Sequence, residues 1–263
     1  MATGNSTDIF SEIPKLDYSE STPSLNAEEF EKVVISRRSV RVYTPEIIPD
    51  EIVHKCIDLA LLAPNSSNLQ CWEFYRVKSA EKRKLIVEAC LSQPAAKTSA
   101  ELIVCVARTK SWPVMRKKML DVFSEQEKKG MKIPLSAITY YKKLVPFVYS
   151  QGPLSLWGFI KKIIMNARGL VTPTPREPTS HSDMKLWAAK TSALACENLM
   201  LAFRAYGYDT CPMEGFDSAR VRRALSLPRD AHITMIISAG KRAQNGVYGP
   251  RIRFERELFV KEV

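Results

Sequence analysis

Residues 102–107 read Leu-Ile-Val-Cys-Val-Ala, an apolar run without a polar interruption. Such a run is typical of a β-strand that is covered on both faces. Segments with helical spacing of apolar residues lie before and after it in the chain. We therefore expect a central sheet flanked by helices, in an α+β or α/β domain. With 263 residues, the chain is long enough to bury a large core.

Three helices are predicted before this strand or next to it. Asn26 can cap a first helix that starts at Ala27, a second opens at Pro49-Asp50-Glu51, and a third runs from Ala80 to Cys90. A further strand is predicted at residues 72–77. The expected inward-facing residues are Ile52, Cys56, Leu59 and Ala60 in the second helix, and Leu85, Ile86 and Ala89 in the third.

The second half of the chain predicts one long, widely apolar helix and a last strand. Asp183 can cap the long helix, which ends near Gly207 and would serve the core and a dimer interface. Asp217 can cap a short helix that contains Val221 and Leu225. The last clear strand is predicted at residues 233–237.

A basic stretch, Arg37-Arg38-Ser39-Val40-Arg41-Val42-Tyr43, follows the first predicted helix. It combines three guanidiniums and a hydroxyl with an extended apolar segment. Guanidinium is planar and permanently charged, and its paired N–H groups match phosphate oxygens. The stretch therefore suits a phosphorylated ligand, although the same charges would also stabilise the end of a solvated helix.

Two further segments contain residues that suit ligand binding. Residues 63–72 read Ala-Pro-Asn-Ser-Ser-Asn-Leu-Gln-Cys-Trp, with short hydroxyls and amides that can direct several hydrogen bonds at one ligand edge. Residues 210–217 read Thr-Cys-Pro-Met-Glu-Gly-Phe-Asp, and their glycine permits close approach of backbone N–H groups to a ligand.

Taken in order, these three segments resemble the flavin-dependent nitroreductase family. The matching motifs are an Arg-Arg-Ser-x-Arg start, a Pro-Ser-Ser-x-Asn-x-Gln-Pro-Trp loop and a Pro-Ile/Met-Glu-Gly-Phe-Asp turn. Two positions differ from that pattern: Cys71 stands where the family usually has proline, and Asn65 where it often has serine. The resemblance implies a mixed, mainly antiparallel sheet flanked by helices, FMN as cofactor, NAD(P)H as electron donor and a homodimer with FMN at its interface.

The resemblance also implies roles for individual residues. Arg37, Arg38 and Ser39 would bind the phosphate and ribityl chain of FMN, and Arg41 its pyrimidine end. The backbone N–H groups of Glu214 and Gly215 would meet the flavin N5 and O4, so that these two residues and Arg41 form the predicted catalytic set. The remaining expected contacts are Asn65, Ser66 and Asn68 from the other subunit, and Arg253 at the phosphate, which Lys241 or Arg242 could share.

The implied activity is a two-step transfer of hydride from NAD(P)H through FMN to a nitroaromatic, a quinone or a similar small acceptor. Two alternatives stay open at this point. One is a relative that reductively dehalogenates its substrate or fragments a flavin, and the other is a membrane-surface FMN-binding protein with little turnover. The two-step transfer itself requires no protein nucleophile and no metal ligand set.

A basic insertion interrupts the family-like sequence, and we place it at residues 110–182. Between Lys110 and Arg168 there are twelve Lys or Arg residues and three Asp or Glu residues, a net charge of +9. Within it, residues 144–160 are uncharged and rich in aromatics, but too short to span a bilayer, and Pro146 and Gly152-Pro153 are expected to break a helix there. The insertion could form a lid over the flavin, which we favour, or rest on anionic lipid; a nucleic-acid surface lacks a supporting motif.

Six scattered cysteines without a CxxC pair predict reduced core residues and a cytoplasmic protein. The three histidines lie far apart and predict no metal site. Residues 1–25 are polar and acidic and lack the pattern of a secretory signal. They are expected to form a mobile arm or a strap over a partner subunit, followed by a single domain at residues 26–263.

Overall fold

The computed structural model describes residues 18–263, so the first 17 residues of the predicted arm lie outside the described range. Its centre is a four-stranded sheet of β1 (Trp72–Arg76), β2 (Glu101–Arg108), β3 (Asp209–Met213) and β4 (Ala231–Gly240). The strand order is β1-β2-β4-β3, and all three neighbouring pairs are antiparallel. The predicted α+β class with a mainly antiparallel sheet is therefore confirmed.

Helices surround this sheet. They are α1 (Ala27–Ser36), α2 (Asp50–Leu61), α3 (Ala80–Ala89), α4 (Pro94–Thr98), α5 (Trp112–Lys128), α6 (Leu135–Thr139), α7 (Val145–Tyr149), α8 (Leu156–Arg168), α9 (His181–Ala205) and α10 (Ser218–Ala224). A π-helical turn, Tyr140–Leu144, joins α6 to α7, and short 3₁₀ turns occur at Ser66–Asn68, Pro153–Ser155 and Arg256–Leu258. Within residues 18–263, no helix has the length and hydropathy that crossing a bilayer requires.

The apolar run in β2 is buried because both faces of the sheet are covered. Leu102, Val104 and Val106 pack in a cluster that includes side chains of α3 and α10. Ile103 and Cys105 point the other way and pack with α2 and α9. Because successive strand residues face opposite sides, one apolar strand supplies two hydrophobic cores.

The predicted inward faces of α2 and α3 need correction at one residue each. Ile86 and Ala89 are buried as expected, but Leu85 is 42% exposed. In α2 the buried residues are Val53, Cys56 and Ala60. Leu59, which is also 42% exposed, lies about a quarter turn away from the centre of that stripe at 3.6 residues per turn.

The N-caps of α1, α9 and α10 can be compared with the helix starts predicted from the sequence. Asn26 accepts the N–H groups of Glu28 and Glu29, and Asp217 caps α10 through two N–H groups, as expected. For α9 the expectation was wrong, since Ser180 is the cap and Asp183 is the third residue of the helix. The two side chains bind each other's backbone N–H in a reciprocal capping box, so the aspartate marks the helix start without being its cap.

Pro146 does not break the helical path from Leu135 to Tyr149, which corrects another expectation. The π-helical turn immediately precedes it, and Pro146 lies in the first turn of α7, where a missing N–H leaves no helical bond unmade. The helical path ends at Tyr149, where Ser150 is extended, and the turn that follows contains Gly152, whose φ of 67° is in the left-handed region. The chain then starts α8 in a new direction.

Candidate functional site

Residues 38–43 form an extended segment that is hydrogen-bonded on both sides. The Val40 N–H donates to the Thr210 carbonyl of β3 at 3.0 Å, and the Arg41 N–H donates to the Gly246 carbonyl at 2.7 Å. Val40 is fully buried. The alternation of an extended chain therefore turns Arg41 to the exposed side.

Tyr43 fixes the end of this segment on the sheet. Its hydroxyl donates to the Ser238 carbonyl at 3.2 Å, and its ring lies so close to Gly240 that a Cβ there would be 2.8 Å from the Tyr43 Cδ1. Burial raises the pKa of Tyr43 above its usual value, so the hydroxyl stays neutral. Residues 38–43, which we call the arginine segment, can thus approach β4 only because position 240 is a glycine.

A buried carboxylate, Asp209, fixes the chain just before the arginines. Arg242 binds it at 2.6 Å and Arg204 at 3.2 Å, and Arg204 also donates to the Ser36 hydroxyl at 2.9 Å. Arg242 is therefore engaged in positioning the end of α1. Lys241 lies 5.9 Å from the centre of the Tyr208 ring, and neither it nor Arg242 lines the pocket described next.

The arginine segment and residues 247–253 enclose a cavity of about 220 Å³, which we call the arginine pocket. Among residues 18–263, none that lines it is a carboxylate, and the pocket lies at the surface. Arg37 has only a 4.0 Å contact with Glu197, whose side chain is half exposed. Five guanidinium groups contribute to the lining: Arg37, Arg38, Arg41, Arg251 and Arg253.

Neutral backbone carbonyls hold these guanidiniums in place. Arg38 donates to the Gly249 carbonyl at 2.5 Å, and Arg251 donates to the carbonyls of Ile35 (2.8 Å) and Arg37. Partial desolvation and the charges of Arg253, Arg37 and Arg38 lower the pKa of Arg251. Carbonyl partners leave the positive charge uncompensated, so the pocket can bind an anion with charge-assisted hydrogen bonds.

The sequence reasoning identified four of the five arginines and missed Arg251. The alternation Arg251-Ile252-Arg253 was visible in the sequence, but nothing local indicates that the tail returns to α1. Tyr248 was missed in the same way. Its ring lies 5.4 Å from the Arg41 guanidinium carbon, a cation–π distance that favours an outward orientation of Arg41.

The predicted catalytic backbone of Glu214 and Gly215 lies in the turn after β3. Gln93 donates to the Gly215 carbonyl at 2.8 Å, and the Asp217 N–H donates to the Ala89 carbonyl, which fixes the turn. Within residues 18–263, the N–H groups of Glu214 and Gly215 have no acceptor. Gly215 follows Thr210 by five residues, or about 16 Å of extended chain.

The loop of residues 65–70 has an unusual backbone, with positive φ at Ser67, Asn68 and Gln70. Its hydroxyls bind tyrosines of the insertion. Tyr149 lies 2.9 Å from the hydroxyls of both Ser66 and Ser67. We call this group the hydroxyl cluster, and its members are Ser66, Ser67, Tyr140, Tyr141 and Tyr149.

Burial raises the pKa of Tyr149, and it raises that of Tyr141 to about 12, so both hydroxyls stay neutral. Tyr141 donates to the Ser67 carbonyl at 2.9 Å. Both rings also belong to a core cluster that contains Leu69 and Cys71. The inner part of the insertion is therefore core, and no signal in the sequence had paired its tyrosines with the serines.

The loop's other predicted contacts are also engaged within the chain. The Asn65 side-chain oxygen accepts the Gln70 N–H at 2.9 Å, and the Asn68 amide lies 3.4 Å from the Met119 sulfur. Cys71, which replaces the family's usual proline, is buried, and burial raises its pKa to about 12. All six cysteines are free and buried, as expected for reduced core residues.

The register of the sheet separates the arginine pocket from this loop. Trp72, after the loop, aligns through Ala107 with His232, whereas Thr210, beside the arginine segment, aligns with Ala239. Trp72 and Thr210 are thus separated by three strand spacings across the sheet and by seven residues along β4, a distance of about 28 Å. One subunit therefore holds the two halves of the predicted site at opposite corners of the sheet.

The structure is that of an α+β protein with a cationic surface pocket lined by five arginines. The profile of the Nitroreductase family matches residues 34–241, most of the chain. The protein belongs to the nitroreductase family. This confirms the class expected from the three motifs, an oxidoreductase of the nitroreductase type that uses FMN and NAD(P)H.

Individual relatives are distant but cover most of the chain. A protein named NADH dehydrogenase from Thermus thermophilus is 26% identical over 84% of this chain and 91% of its own length. A 4-nitrobenzoate reductase from Pseudomonas putida is 25% identical over 89% of this chain and 94% of its own. A structure described as a nitroreductase in complex with FMN, from Exiguobacterium sibiricum, superimposes with a TM-score of 0.64 at 24% identity, covering 92% of this chain and all of that one.

Proposed function

We propose that the protein transfers hydride from NAD(P)H through FMN to a nitroaromatic, a quinone or a similar small acceptor in a two-step cycle. One observation carries the proposal. The motif arginines of a nitroreductase-family chain line one cavity to which residues 18–263 contribute no carboxylate. Such a donor set fits the phosphate of FMN, because each guanidinium offers charge-assisted hydrogen bonds and the one acidic contact, of Arg37 with the half-exposed Glu197 among the described residues, is long at 4.0 Å.

Within this proposal, Arg37, Arg38 and Ser39 hold the phosphate and ribityl chain, together with Arg253. Arg251 supports them through its bonds to the Ile35 and Arg37 carbonyls. The buried Asp209 keeps the end of α1 in place through Arg204 and Arg242. These contacts fix the backbone of the arginines before a ligand arrives, which lowers the entropy that binding costs.

Arg41 and the turn at Glu214 and Gly215 serve the reactive end. Bound there, FMN would supply the hydride-transfer chemistry between NAD(P)H and the acceptor. Arg41, outward beside Tyr248, places a permanent charge where negative charge would develop. The two N–H groups without an acceptor in the described chain can donate hydrogen bonds to the flavin edge.

The proposal requires a homodimer. Trp72, which follows the loop of Asn65, Ser66 and Asn68, lies about 28 Å from Thr210 beside the arginines by strand register, so we expect the loop to reach the same FMN from a second subunit. This separation supports the expected interface site. The insertion borders the same loop through the hydroxyl cluster, so in a dimer its inner tyrosines would lie near the acceptor side and could select acceptors as a lid.

Relatives support the acceptor class. The Pseudomonas putida relative is named for reduction of a nitroaromatic, 4-nitrobenzoate. Within this chain, the aromatic residues around the loop suit a planar, apolar acceptor. The physiological acceptor of this protein would then be a flat, electron-poor ring small enough to enter beside the loop.

The first experiment is to purify the protein without added flavin, record its visible spectrum and add NADPH anaerobically. The proposal predicts a yellow protein that bleaches with NADPH and regains colour with a nitroaromatic or quinone. Colourless protein that cannot be reconstituted with FMN would contradict it. Turnover of halophenols in place of nitroaromatics would instead assign the dehalogenating alternative.

A matched pair of variants tests the role of Arg41. Arg41→Ala should weaken FMN retention and slow the bleaching by NADPH, because the charge at the reactive end is lost. Arg229→Ala removes the same charge from an exposed turn before β4, at the far end of the sheet, and should change neither quantity. Equal behaviour of the two variants would exclude Arg41 from the site.

A further inference from the structure

Helix α8 buries a lysine and exposes apolar residues, which is the reverse of an ordinary surface helix. Its buried residues are Gly158, Lys161 and Met165, whereas Phe159 and Ile163 are 65% and 56% exposed. A surface helix of a globular protein normally buries its apolar side and exposes its lysines. Here a lysine lies inside and the apolar side lies outside.

Lys161 explains why the helix takes this orientation. Its ammonium group donates to the carbonyls of Ser150 (3.1 Å), Phe147 (3.4 Å) and Val148, at the C-terminal end of α7. A cation is stabilised at a helix C-terminus, where several carbonyls have no helical partner. The chain therefore uses Lys161 to anchor α8, and the opposite side is left to the exterior.

The exterior side of α8 is apolar over an arc of about 140° at 100° per residue. It carries no charged residue, and on a helical wheel Lys162 and Arg168 lie on its two flanks. Beyond the helix end, Leu170 and Val171 are each 86% exposed. The exposed apolar members of this face, which we call the apolar face, are Leu156, Phe159, Ile160, Ile163 and Ile164.

We propose that the apolar face binds an anionic phospholipid surface, with α8 lying in the plane of the interface. This goes beyond the proposed redox function. Apolar residues flanked by cations on a helix of 13 residues suit insertion between headgroups and the ends of acyl chains. Lys142, Lys143 and Lys162 are exposed in the same insertion and can meet anionic headgroups.

The positive charge of the insertion favours an anionic lipid surface over a second copy of this chain as the partner of the apolar face. The segment from Lys110 to Arg168 has a net charge of +9. A symmetric contact between two copies of the apolar face would bring these like charges together, whereas an anionic bilayer neutralises them. The loop and arginine pocket that the proposed dimer would join lie on other parts of the chain, so the apolar face is left for a different surface.

The test is flotation of the full-length protein, as purified, with two kinds of vesicle: pure phosphatidylcholine, and a mixture with three parts in ten of phosphatidylglycerol. We expect at least tenfold stronger binding to the anionic vesicles, weakening as salt rises. Phe159→Ser with Ile163→Ser should reduce that binding at least tenfold. Ile47→Ser, which removes an 80% exposed apolar residue outside the insertion, should leave it unchanged.

A charge variant separates the two contributions. Lys142→Gln, Lys143→Gln and Lys162→Gln together should reduce binding to anionic vesicles and flatten its salt dependence, with little change for neutral vesicles. Thermal unfolding of each variant checks that it folds. If the double serine variant is unfolded, Phe159→Gln alone replaces it, and a loss of at least threefold is expected.

Three results would overturn the proposal. One is a wild-type protein that does not float with anionic vesicles. Another is binding that the serine variant retains in full. The third is a change of oligomeric mass in the serine variant with unchanged vesicle binding, because the apolar face would then be covered by a second copy.

Discussion

The arginine pocket and the 65–70 loop, whose serines belong to the hydroxyl cluster, were both expected to contribute to the cofactor site, yet the pocket and the cluster differ in almost every physical respect. The pocket is open and cationic, and its guanidiniums are held by neutral carbonyls. The hydroxyl cluster is neutral, and its tyrosines lie in or against the core, bound to the serines. The arginine pocket has cationic donors left for a ligand, whereas the hydroxyls of the hydroxyl cluster largely bond within the chain.

This difference indicates that the two regions have different roles, one in cofactor affinity and the other in local stability. Uncompensated charge at a surface is useful only with a ligand, so the arginine pocket should dominate cofactor affinity. Satisfied buried hydroxyls rigidify a loop, so the hydroxyl cluster should dominate local stability and only adjust affinity. Variants in each region can test whether the two contributions separate in this way.

The largest effect is expected from Arg37→Ala combined with Arg38→Ala. Each hydrogen bond to a charged group contributes about 1.5–3 kcal/mol, so the loss of two such contacts should lower FMN affinity by about two to four orders of magnitude. Fluorescence titration of FMN measures this change. The matched pair Arg223→Ala and Arg229→Ala removes two exposed arginines outside the pocket. Equal losses in both pairs would show that only net charge matters.

A second prediction concerns pH and Lys161, whose pKa burial lowers to about 8. In the unfolded chain, Lys161 keeps its ordinary, higher pKa. Between pH 8 and that ordinary pKa, the unfolded chain therefore binds more protons than the folded chain. Stability must therefore rise with pH across this window. From pH 7.5 to 9.5 the wild type should gain about 2 kcal/mol relative to Lys161→Met, measured by urea unfolding. Parallel pH curves for the two proteins would contradict this prediction.

A smaller effect is expected from Tyr149→Phe. It removes the hydroxyl that bonds to both Ser66 and Ser67, and should cost about 1–2 kcal/mol of unfolding free energy. FMN affinity should change no more than about threefold. Tyr75→Phe makes the same chemical change next to Glu73, and serves as the control. A loss of FMN affinity as large as in the double arginine variant would place the hydroxyl cluster among the main cofactor contacts.

The smallest effect is expected from Tyr248→Leu, which removes the ring beside Arg41. A cation–π contact at an exposed site contributes about 0.5–1 kcal/mol, so FMN affinity should fall about two- to fivefold. Isothermal titration of FMN resolves a change of that size. Tyr18→Leu, at a residue that is 72% exposed near the start of the described chain, provides the control.

What the sequence predicted well was encoded locally. The β2 run and the caps at Asn26 and Asp217 each depend on residues close together in the chain. The features that were missed join distant segments: Arg251 reaches α1 across more than 200 positions, and Tyr149 reaches Ser66 across 83. Local sequence does not reveal the orientation of α8 either, because only the carbonyls at the end of α7 make burial of Lys161 favourable.

The central claim is that the arginine pocket of one subunit and the 65–70 loop of another complete one FMN site. Its most direct test is a mixed dimer of two defective subunits, one with Arg37→Ala and Arg38→Ala and one with Asn65→Leu and Asn68→Leu. The two chains are co-expressed with different tags and purified on both. The account predicts about half the wild-type content of bound FMN per chain, because one of the two sites is then built from intact parts. A mixed dimer that binds no more FMN than either variant alone would contradict it.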